Sequence, residues 1–246
     1  MMHENKIIGI IPARLASTRL PRKVLRELAG RPLVEWVWRA AVESRAMDEI
    51  IVATDSDEVM AACRARGIPA ELTRVNCASG SDRVHEVAQR HEAGIYVNIQ
   101  GDEPLLMAEH FRALLSPFAD AAVDVTTLAV PCGEDEINNP NAVKVVVGVD
   151  GRALYFSRAA IPFDRDHGGR VEYRKHLGIY AYRRGALEKF AALKPAPLEL
   201  TEKLEQLRML ENGMRIVVAD VAMDTVGVDT EEDLKRAEAE LLRRQK

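Results

Sequence analysis

The sequence lacks the features that mark secreted, membrane-spanning or nucleic-acid-binding chains. It has only 3 cysteines, Cys63, Cys77 and Cys132, in 246 residues. They are odd in number, far apart and without a CxxC pair, which excludes a disulfide framework and fits a reducing compartment. No apolar run approaches the roughly 20 residues of a membrane span. The N-terminal run from Ile7 to Pro12 is closed by Arg14 and is too short for a signal-peptide core. An excess of positive charge is missing as well. Thirty-four Lys+Arg against 38 Asp+Glu leave a net charge of −4, so no global basic field exists for nucleic acid or anionic lipid. The expectation is a soluble, cytoplasmic protein with no nucleic-acid and no membrane partner, in which any anion site is a local cluster. The Walker and dinucleotide glycine fingerprints, the Ser/His/Asp elbow, zinc-type spacing and HExxH are absent too.

What is present is the balance of a globular protein, 47% hydrophobic and 29% charged. Ile7 to Ile11, Ile50 to Ala53, Ile68 to Leu72 and Ile95 to Ile99 are short, β-branched runs of the kind buried in parallel strands. Between them lie helical patterns: Leu33, Val34, Val37, Ala40 and Ala41; Asp57 to Arg66, stopped by Gly67; and a helix opened by Ser81 with Val84, Val87 and Ala88 inward. Strand and helix thus alternate four times, which predicts an α/β fold with a doubly wound, mostly parallel sheet. In such sheets ligands gather beyond the carboxyl ends of the strands. Later, Val123 to Val130, Val143 to Val149 and Met214 to Val221 read as strands, and Glu199 to Asn212 as one helix. Phe156 to Tyr173 reads as an extended excursion, a lid or a dimer arm. Thr230 with Asp233 forms a capping box for a C-terminal helix. One domain over 1–246 is expected, in halves of about 1–120 and 121–246.

Three loops carry the chemistry. Arg14 to Arg26 holds five basic residues, Arg14, Arg19, Arg22, Lys23 and Arg26, and no acidic one, with small residues such as Ser17 between them. Arginine forks, a lysine point charge and close backbone approach suit a polyphosphate; the plainer alternative is a solvated basic loop. Asn98-Ile99-Gln100-Gly101-Asp102-Glu103 follows a buried strand and offers Asp102 to a hard cation such as Mg²⁺, or else is a solvent-facing turn. Asp229, alone, reads as an acid beside the Thr230 cap; together with Asp102 it supplies a second carboxylate. Ser79-Gly80-Ser81-Asp82-Arg83 could meet a base or a phosphate. Arg158, His176, Glu205 and Gln206 could line a substrate pocket, although from the residues alone a surface arginine, a core histidine and a solvated helix face are the favoured readings.

The blocks IIPARLASTRLPRKVL, NIQGDEPLL, YFSRAAIP, HLGIYAYRRGAL, EKLEQLRMLENG and GVDTEEDL run in order from about Ile8 to Leu234. Together they resemble the bacterial CMP-KDO synthetases, the 3-deoxy-manno-octulosonate (KDO) cytidylyltransferases. PARxxSTRLP is shared with other sugar cytidylyltransferases, whereas HLGIYAYR and EKLEQLR are more specific. The resemblance implies a Rossmann-like, three-layer nucleotidyltransferase fold. It also implies Mg²⁺ dependence and a homodimer built partly through the arm, with a CTP-binding first half and a sugar-binding, dimerising second half. Arg14, Ser17 and Lys23 match the CTP-phosphate loop, with Arg19 beside them. Ser79, Gly80, Ser81, Arg83 and Gln100 match positions near the cytidine. Asp102 and Asp229 match the metal carboxylates, and Arg158, His176, Tyr180, Glu205 and Gln206 match the sugar pocket. Lys23, Arg14 and Asp102 are the implied catalytic set. The implied reaction joins CTP and KDO into CMP-KDO and pyrophosphate for lipopolysaccharide synthesis. An 8-amino-KDO or sialic acid substrate, or a non-catalytic nucleotide-binding regulator, are the alternatives. One departure stands out: the family usually reads RLPGK, and Arg22 replaces the glycine, so if that position needs a positive φ the loop must differ locally around Arg22 and Lys23.

Overall fold

The computed structural model of the chain describes residues 5–16, 19–77, 79–166, 168 and 171–244. They form two compact units, Met1–Arg112 with Thr225–Lys246, and Ala113–Asp224. The expected second half therefore ends at Asp224 rather than at the C-terminus.

In the first unit, strand β1 (Ile7–Pro12) leads through the small hairpin β2 (Glu27–Leu28) and β3 (Arg31–Pro32) into helix α1 (Leu33–Ser44). Then come β4 (Glu49–Thr54), α2 (Asp57–Arg64), β5 (Ala70–Leu72), α3 (Gly80–Ala88) and β6 (Ile95–Asn98). Within this unit β1 pairs in parallel with β4 and with β6, and β4 pairs in parallel with β5. The apolar runs behave as buried strands: Ile8, Ile10 and Ile11 have no exposed surface, nor do Val52 and Ala53. Ser56 caps α2 and left-handed Gly67 follows it. Ser79 and Asp82 form a capping box, so α3 starts at Gly80, just ahead of the expected Ser81. The chain steps from β1 out to β4 and β5, then returns to the other side of β1 as β6. The strand order reverses between β1 and β6, and open α/β sheets place their ligands beyond the carboxyl ends of strands at such a point.

Helix α4 (Ala108–Leu115) leads to the second unit, which holds β7 (Val125–Pro131), β8 (Lys144–Val147), β9 (Ala153–Ser157), β10 (Arg174–Arg183), α5 (Arg184–Ala192), α6 (Pro197–Glu202), α7 (Gln206–Glu211) and β11 (Ile216–Asp220). Here pairing is mostly antiparallel: β10 with β7 and β8, and β8 with β9, while β11 runs parallel to β7. The expected helix from Glu199 to Asn212 is two short ones, because Lys203 takes a left-handed φ of 57° between them. The excursion expected from Phe156 begins inside β9, and residues 158–166, 168 and 171–173 are irregular.

The chain closes with α8 (Glu231–Arg244) in the first unit. The Thr230–Asp233 capping box forms as the spacing predicts: Asp233 N–H donates to Thr230 Oγ1 at 3.2 Å and Thr230 N–H donates to Asp233 Oδ2 at 3.0 Å. Leu234, Ala237 and Leu241 of α8 cluster with Leu20, Leu28, Leu33, Leu105 and Val228. That apolar contact, worth roughly 1.5–3 kcal/mol for each large side chain buried, joins the basic loop, the stretch after Asp102 and the stretch before Asp229. No helix among the described residues is long and apolar enough to cross a membrane.

Candidate active site

Beyond the carboxyl ends of β1 and β6 the loops converge on one ammonium group. Lys23 begins a 3-10 turn, Lys23–Leu25, held in place by buried Leu20 and Val24. Its Nζ donates to Asp102 Oδ2 at 2.5 Å and to Asp229 Oδ1 at 2.9 Å, and its side chain is 14% exposed. Burial alone would lower the Lys23 pKa, but Asp102 and Asp229 outweigh it and hold the pKa above the ordinary value. Arg19 donates to the other oxygen of Asp229 at 2.8 Å. Val228 N–H donates to the Asp102 carbonyl at 2.9 Å, tying the two acidic segments by backbone. Asp229 stands at the helix cap, where its N–H bonds to the Asp233 carboxylate, while its own carboxylate faces Lys23.

Gly101 explains how Asp102 gets there. A Cβ on Gly101 would lie 2.5 Å from the Pro12 carbonyl oxygen, so only glycine lets the loop after β6 cross the end of β1 this closely. Arg22, the departure from RLPGK, has φ 58° and ψ 30°. The loop keeps the left-handed backbone and a non-glycine residue bears it, at roughly 1–2 kcal/mol. Arg22 pairs with Glu58 on α2, and Arg26 pairs with Glu231 on α8 at 2.6 Å. The five basic residues thus split by role: Arg22 and Arg26 anchor the loop to flanking helices, while Lys23 and Arg19 hold the two aspartates. Arg14 reaches sideways, donating to the Cys77 carbonyl at 3.1 Å and bracing the segment that enters α3. Ser17 lies outside the described residues.

At the α3 end, the Ser79 hydroxyl and carboxylate-bearing Asp82 satisfy each other in the capping box. Gly80 lies against Pro12, and an added Cβ there would be 3.6 Å from Pro12 Cγ, an ordinary contact. Half-buried Gln100 sits 3.4 Å from the Asn98 side chain, which in turn is 3.5 Å from Ser81. Arg83 departs from its expected role as a CTP contact. It has no exposed surface; its guanidinium donates to Asp55 Oδ2 at 2.8 Å and to the Thr73 hydroxyl. A buried arginine occupied this way fixes the ends of β4 and β5 rather than touching a ligand. Asp55 was not assigned from sequence, although its place directly after β4 is the kind of strand-end position that points to a role.

The sugar-side candidates all lie in the second unit. Arg158, expected to line the sugar pocket, spends its donors on main-chain carbonyls: Glu202 at 2.8 Å, Pro140 at 2.8 Å and Lys203 at 3.5 Å. Fully buried Lys144 does the same with Asn139, Ala142 and the Arg158 carbonyl. His176 is packed against Phe156 with ring centroids 4.9 Å apart, and burial pushes its pKa down to about 3. Its Nε2 is 3.0 Å from the hydroxyl of Thr127, a residue sequence reasoning passed over as core. Tyr180 is buried, its ring 5.4 Å from that of His176, and its hydroxyl makes no hydrogen bond of good geometry. Burial raises its pKa well above the usual phenol value, with Tyr182 and Glu205 adding to the effect and Thr127 opposing it. Glu205 precedes α7 and Gln206, buried, opens it.

Two carboxylates around one ammonium make a hard-oxygen pair of the sort Mg²⁺ uses, since that ion takes one or two carboxylates and completes its shell with water and substrate phosphate. Among the described residues no cluster of three or more His, Cys, Asp or Glu could hold a metal alone.

Comparison with known proteins gives a consistent picture. The sequence profile of the cytidylyltransferase family matches residues 8–216. The 3-deoxy-manno-octulosonate cytidylyltransferase of Acidobacterium capsulatum is 60% identical over 245 residues, covering all of both chains. That of Koribacter versatilis is 54% identical, covering 97% of this chain and 90% of the relative. The solved structure of a CMP:2-keto-3-deoxy-manno-octonic acid synthetase complexed with CTP superposes with a TM-score of 0.94 at 40% identity, covering 98% of this chain and 100% of that one. A 4-diphosphocytidyl-2C-methyl-D-erythritol synthase from Anaerococcus prevotii, at TM-score 0.64 and 16% identity, shares the fold. With a matching profile over most of its length and full-length relatives at such identity, the chain belongs to the cytidylyltransferase family, among the 3-deoxy-manno-octulosonate cytidylyltransferases.

Proposed function

We propose that the protein transfers CMP from CTP to KDO. The anomeric hydroxyl oxygen of the sugar attacks the α-phosphorus, the bond from that phosphorus to the bridging oxygen of the β-phosphate breaks, and pyrophosphate leaves. The hydroxyl proton passes to solvent. The observation that carries this reading is the Lys23 ammonium lodged between Asp102 and Asp229 at the strand-order reversal of the sheet, in a chain so close to relatives of that name.

Phosphoryl transfer of this type depends on positioning and on neutralising charge. Lys23 and Arg19 balance the two aspartates in the absence of substrate. An arriving triphosphate competes for both cations, which frees carboxylate oxygens at the moment phosphate oxygens become available. Asp102 and Asp229 would hold Mg²⁺, which supplies Lewis-acid stabilisation of phosphate oxygens and lowers the pKa of a bound hydroxyl. Lys23, with Arg14 and Arg19, then stabilises the leaving pyrophosphate. The capped N-terminus of α3 at Ser79, Gly80 and Ser81, together with Gln100, provides donors for the cytidine; Ser17 is proposed for the phosphates on the resemblance alone. Arg83 acts behind this surface by bracing Asp55. Tyr180, His176, Glu205, Gln206 and Arg158 are proposed for the sugar. The product is an activated acid sugar for lipopolysaccharide assembly, made in the cytoplasm. Pairing of two copies through the arm is supported by Phe163, 78% exposed within it.

A pyrophosphate-release assay with the four nucleoside triphosphates and a panel of acid sugars tests the reading. Release should require CTP, KDO and Mg²⁺ together. Release with sialic acid or 8-amino-KDO but not with KDO would move the substrate and leave the chemistry; tight CTP binding with no product from any sugar would favour a nucleotide-binding regulator.

A further inference from the structure

Thr127 lies on β7 opposite an irregularity of β10, where the register shifts between Leu177 and Tyr180. Its side chain is fully buried, and Oγ1 has three hydrogen-bond partners of good geometry, the Ile179 carbonyl at 2.8 Å, the Leu177 carbonyl at 3.2 Å and His176 Nε2 at 3.0 Å, with the Tyr180 hydroxyl a further polar neighbour that could only add a donor to its lone pairs. A hydroxyl has one proton to give and two lone pairs to accept with. Carbonyl oxygens accept only. The proton is therefore directed to the carbonyls of the irregularity, chiefly Ile179, and nothing but lone pairs remains for the imidazole. For the 3.0 Å contact to be a hydrogen bond, Nε2 has to carry the hydrogen.

We propose that Thr127 is a positioning residue that locks His176 in its Nε2–H tautomer, so that the ring offers the sugar an acceptor nitrogen, Nδ1, which reads a hydroxyl and not the carboxylate. The proposal rests on the sugar-side assignment of His176. The surroundings agree with it. Phe156 lies nearly perpendicular to the ring and Tyr180 tilted beside it, so both flank it with aromatic surface. Burial keeps the second proton off at neutral pH. Among the described residues no side chain or backbone group hydrogen-bonds Nδ1. A neutral ring with a lone pair outward repels a carboxylate and accepts from a hydroxyl.

The test is the ¹⁵N spectrum of protein labelled at histidine, in which the sequence has 6 such residues and the His176 signals are those lost in His176→Gln. A pyrrole-type Nε2 and a pyridine-type Nδ1, constant from pH 8 to pH 5, are expected. Thr127→Val should abolish that fixed pattern and raise the KM for KDO about tenfold, the effect of losing one well-placed hydrogen bond, with the KM for CTP unchanged. Thr127→Ser should restore both. A hydrogen on Nδ1, or a doubly protonated ring at pH 6, in the wild-type protein overturns the proposal, and that spectrum decides even if the valine variant does not fold. If the tautomer is as stated but His176→Gln leaves the KM for KDO unchanged, the sugar-side assignment falls and with it the reading of a hydroxyl, while the lock itself stands.

Discussion

Gly101→Ala is the substitution for which the structure gives the sharpest expectation. The new methyl carbon would start 2.5 Å from the Pro12 carbonyl oxygen, and Cβ atoms essentially never approach closer than 3.0 Å. The obstacle is backbone at the end of a strand hydrogen-bonded on both sides, so it cannot swing away as a side chain would. The loop after β6 has to retreat by at least half an ångström. Overpacking of this kind costs about 1–3 kcal/mol of stability. The chemical effect should be larger, because Asp102 is the next residue and its 2.5 Å contact with Lys23 cannot survive such a shift. A misplacement of about 1 Å at a reacting centre costs roughly 10²-fold in rate, so a loss of about ten- to a hundredfold in kcat/KM is expected. Urea unfolding and pyrophosphate release measure the two effects. Gly80→Ala is the stability control: its methyl group would meet Pro12 Cγ at 3.6 Å, and alanine favours a helix start, so no loss of stability is expected. An alanine at 101 with the stability and kcat/KM of the wild type would refute the account of how Asp102 is placed.

Asp102→Asn keeps an acceptor for Lys23 but removes a charge; kcat/KM for pyrophosphate release should fall at least about 10²-fold, with the circular dichroism spectrum unchanged, and a wild-type rate would remove Asp102 from the site. Arg22→Gly relieves a left-handed arginine at roughly 1–2 kcal/mol. It also loosens the unfolded chain and deletes the exposed pair with Glu58, terms of about 0.5–1 kcal/mol each. Stability in urea should therefore stay within about 1 kcal/mol of the parent; a larger fall would mean that the Glu58 pair holds the loop. His176 titrates far lower in the fold, at about 3, than in the unfolded chain. Its neutral form is favoured by folding, so this contribution is complete above pH 6.5 and is lost as pH falls towards 3. Between pH 7 and pH 5 it amounts to at most about 2 kcal/mol. Acid unfolding of His176→Gln should be shallower over that range, and an identical pH slope would show the histidine to be readily protonated.

The first unit was largely legible in the sequence because its strands are buried on both faces, and a continuous apolar run such as Ile7 to Ile11 has few other meanings. The second unit was less so. In β10, Lys175 and His176 precede Leu177, and an irregularity displaces the alternation, so local pattern could not announce a strand. The single helix expected after Glu199 failed on Lys203, whose left-handed turn no composition rule flags. The loops bearing Lys23, Asp102 and Asp229 were legible through strand-end position and charge. What those charges do was not, because a guanidinium's partner is set in three dimensions. Arg83 and Arg158 read as ligand-binding cations, yet one is buried against Asp55 and the other closes a loop through carbonyls. Thr127 gave no signal at all, since a threonine among Val125, Leu128 and Val130 looks like any strand residue.

The claim at the centre is that Asp102 and Asp229 share a divalent cation once a triphosphate draws Lys23 and Arg19 away. Electron paramagnetic resonance of free Mn²⁺ measures this directly. Binding should be weak without CTP, tighten by at least about tenfold with it, and lose that gain in both Asp102→Asn and Asp229→Asn. Equal Mn²⁺ affinity with and without CTP, or in either variant and the parent protein, would contradict it.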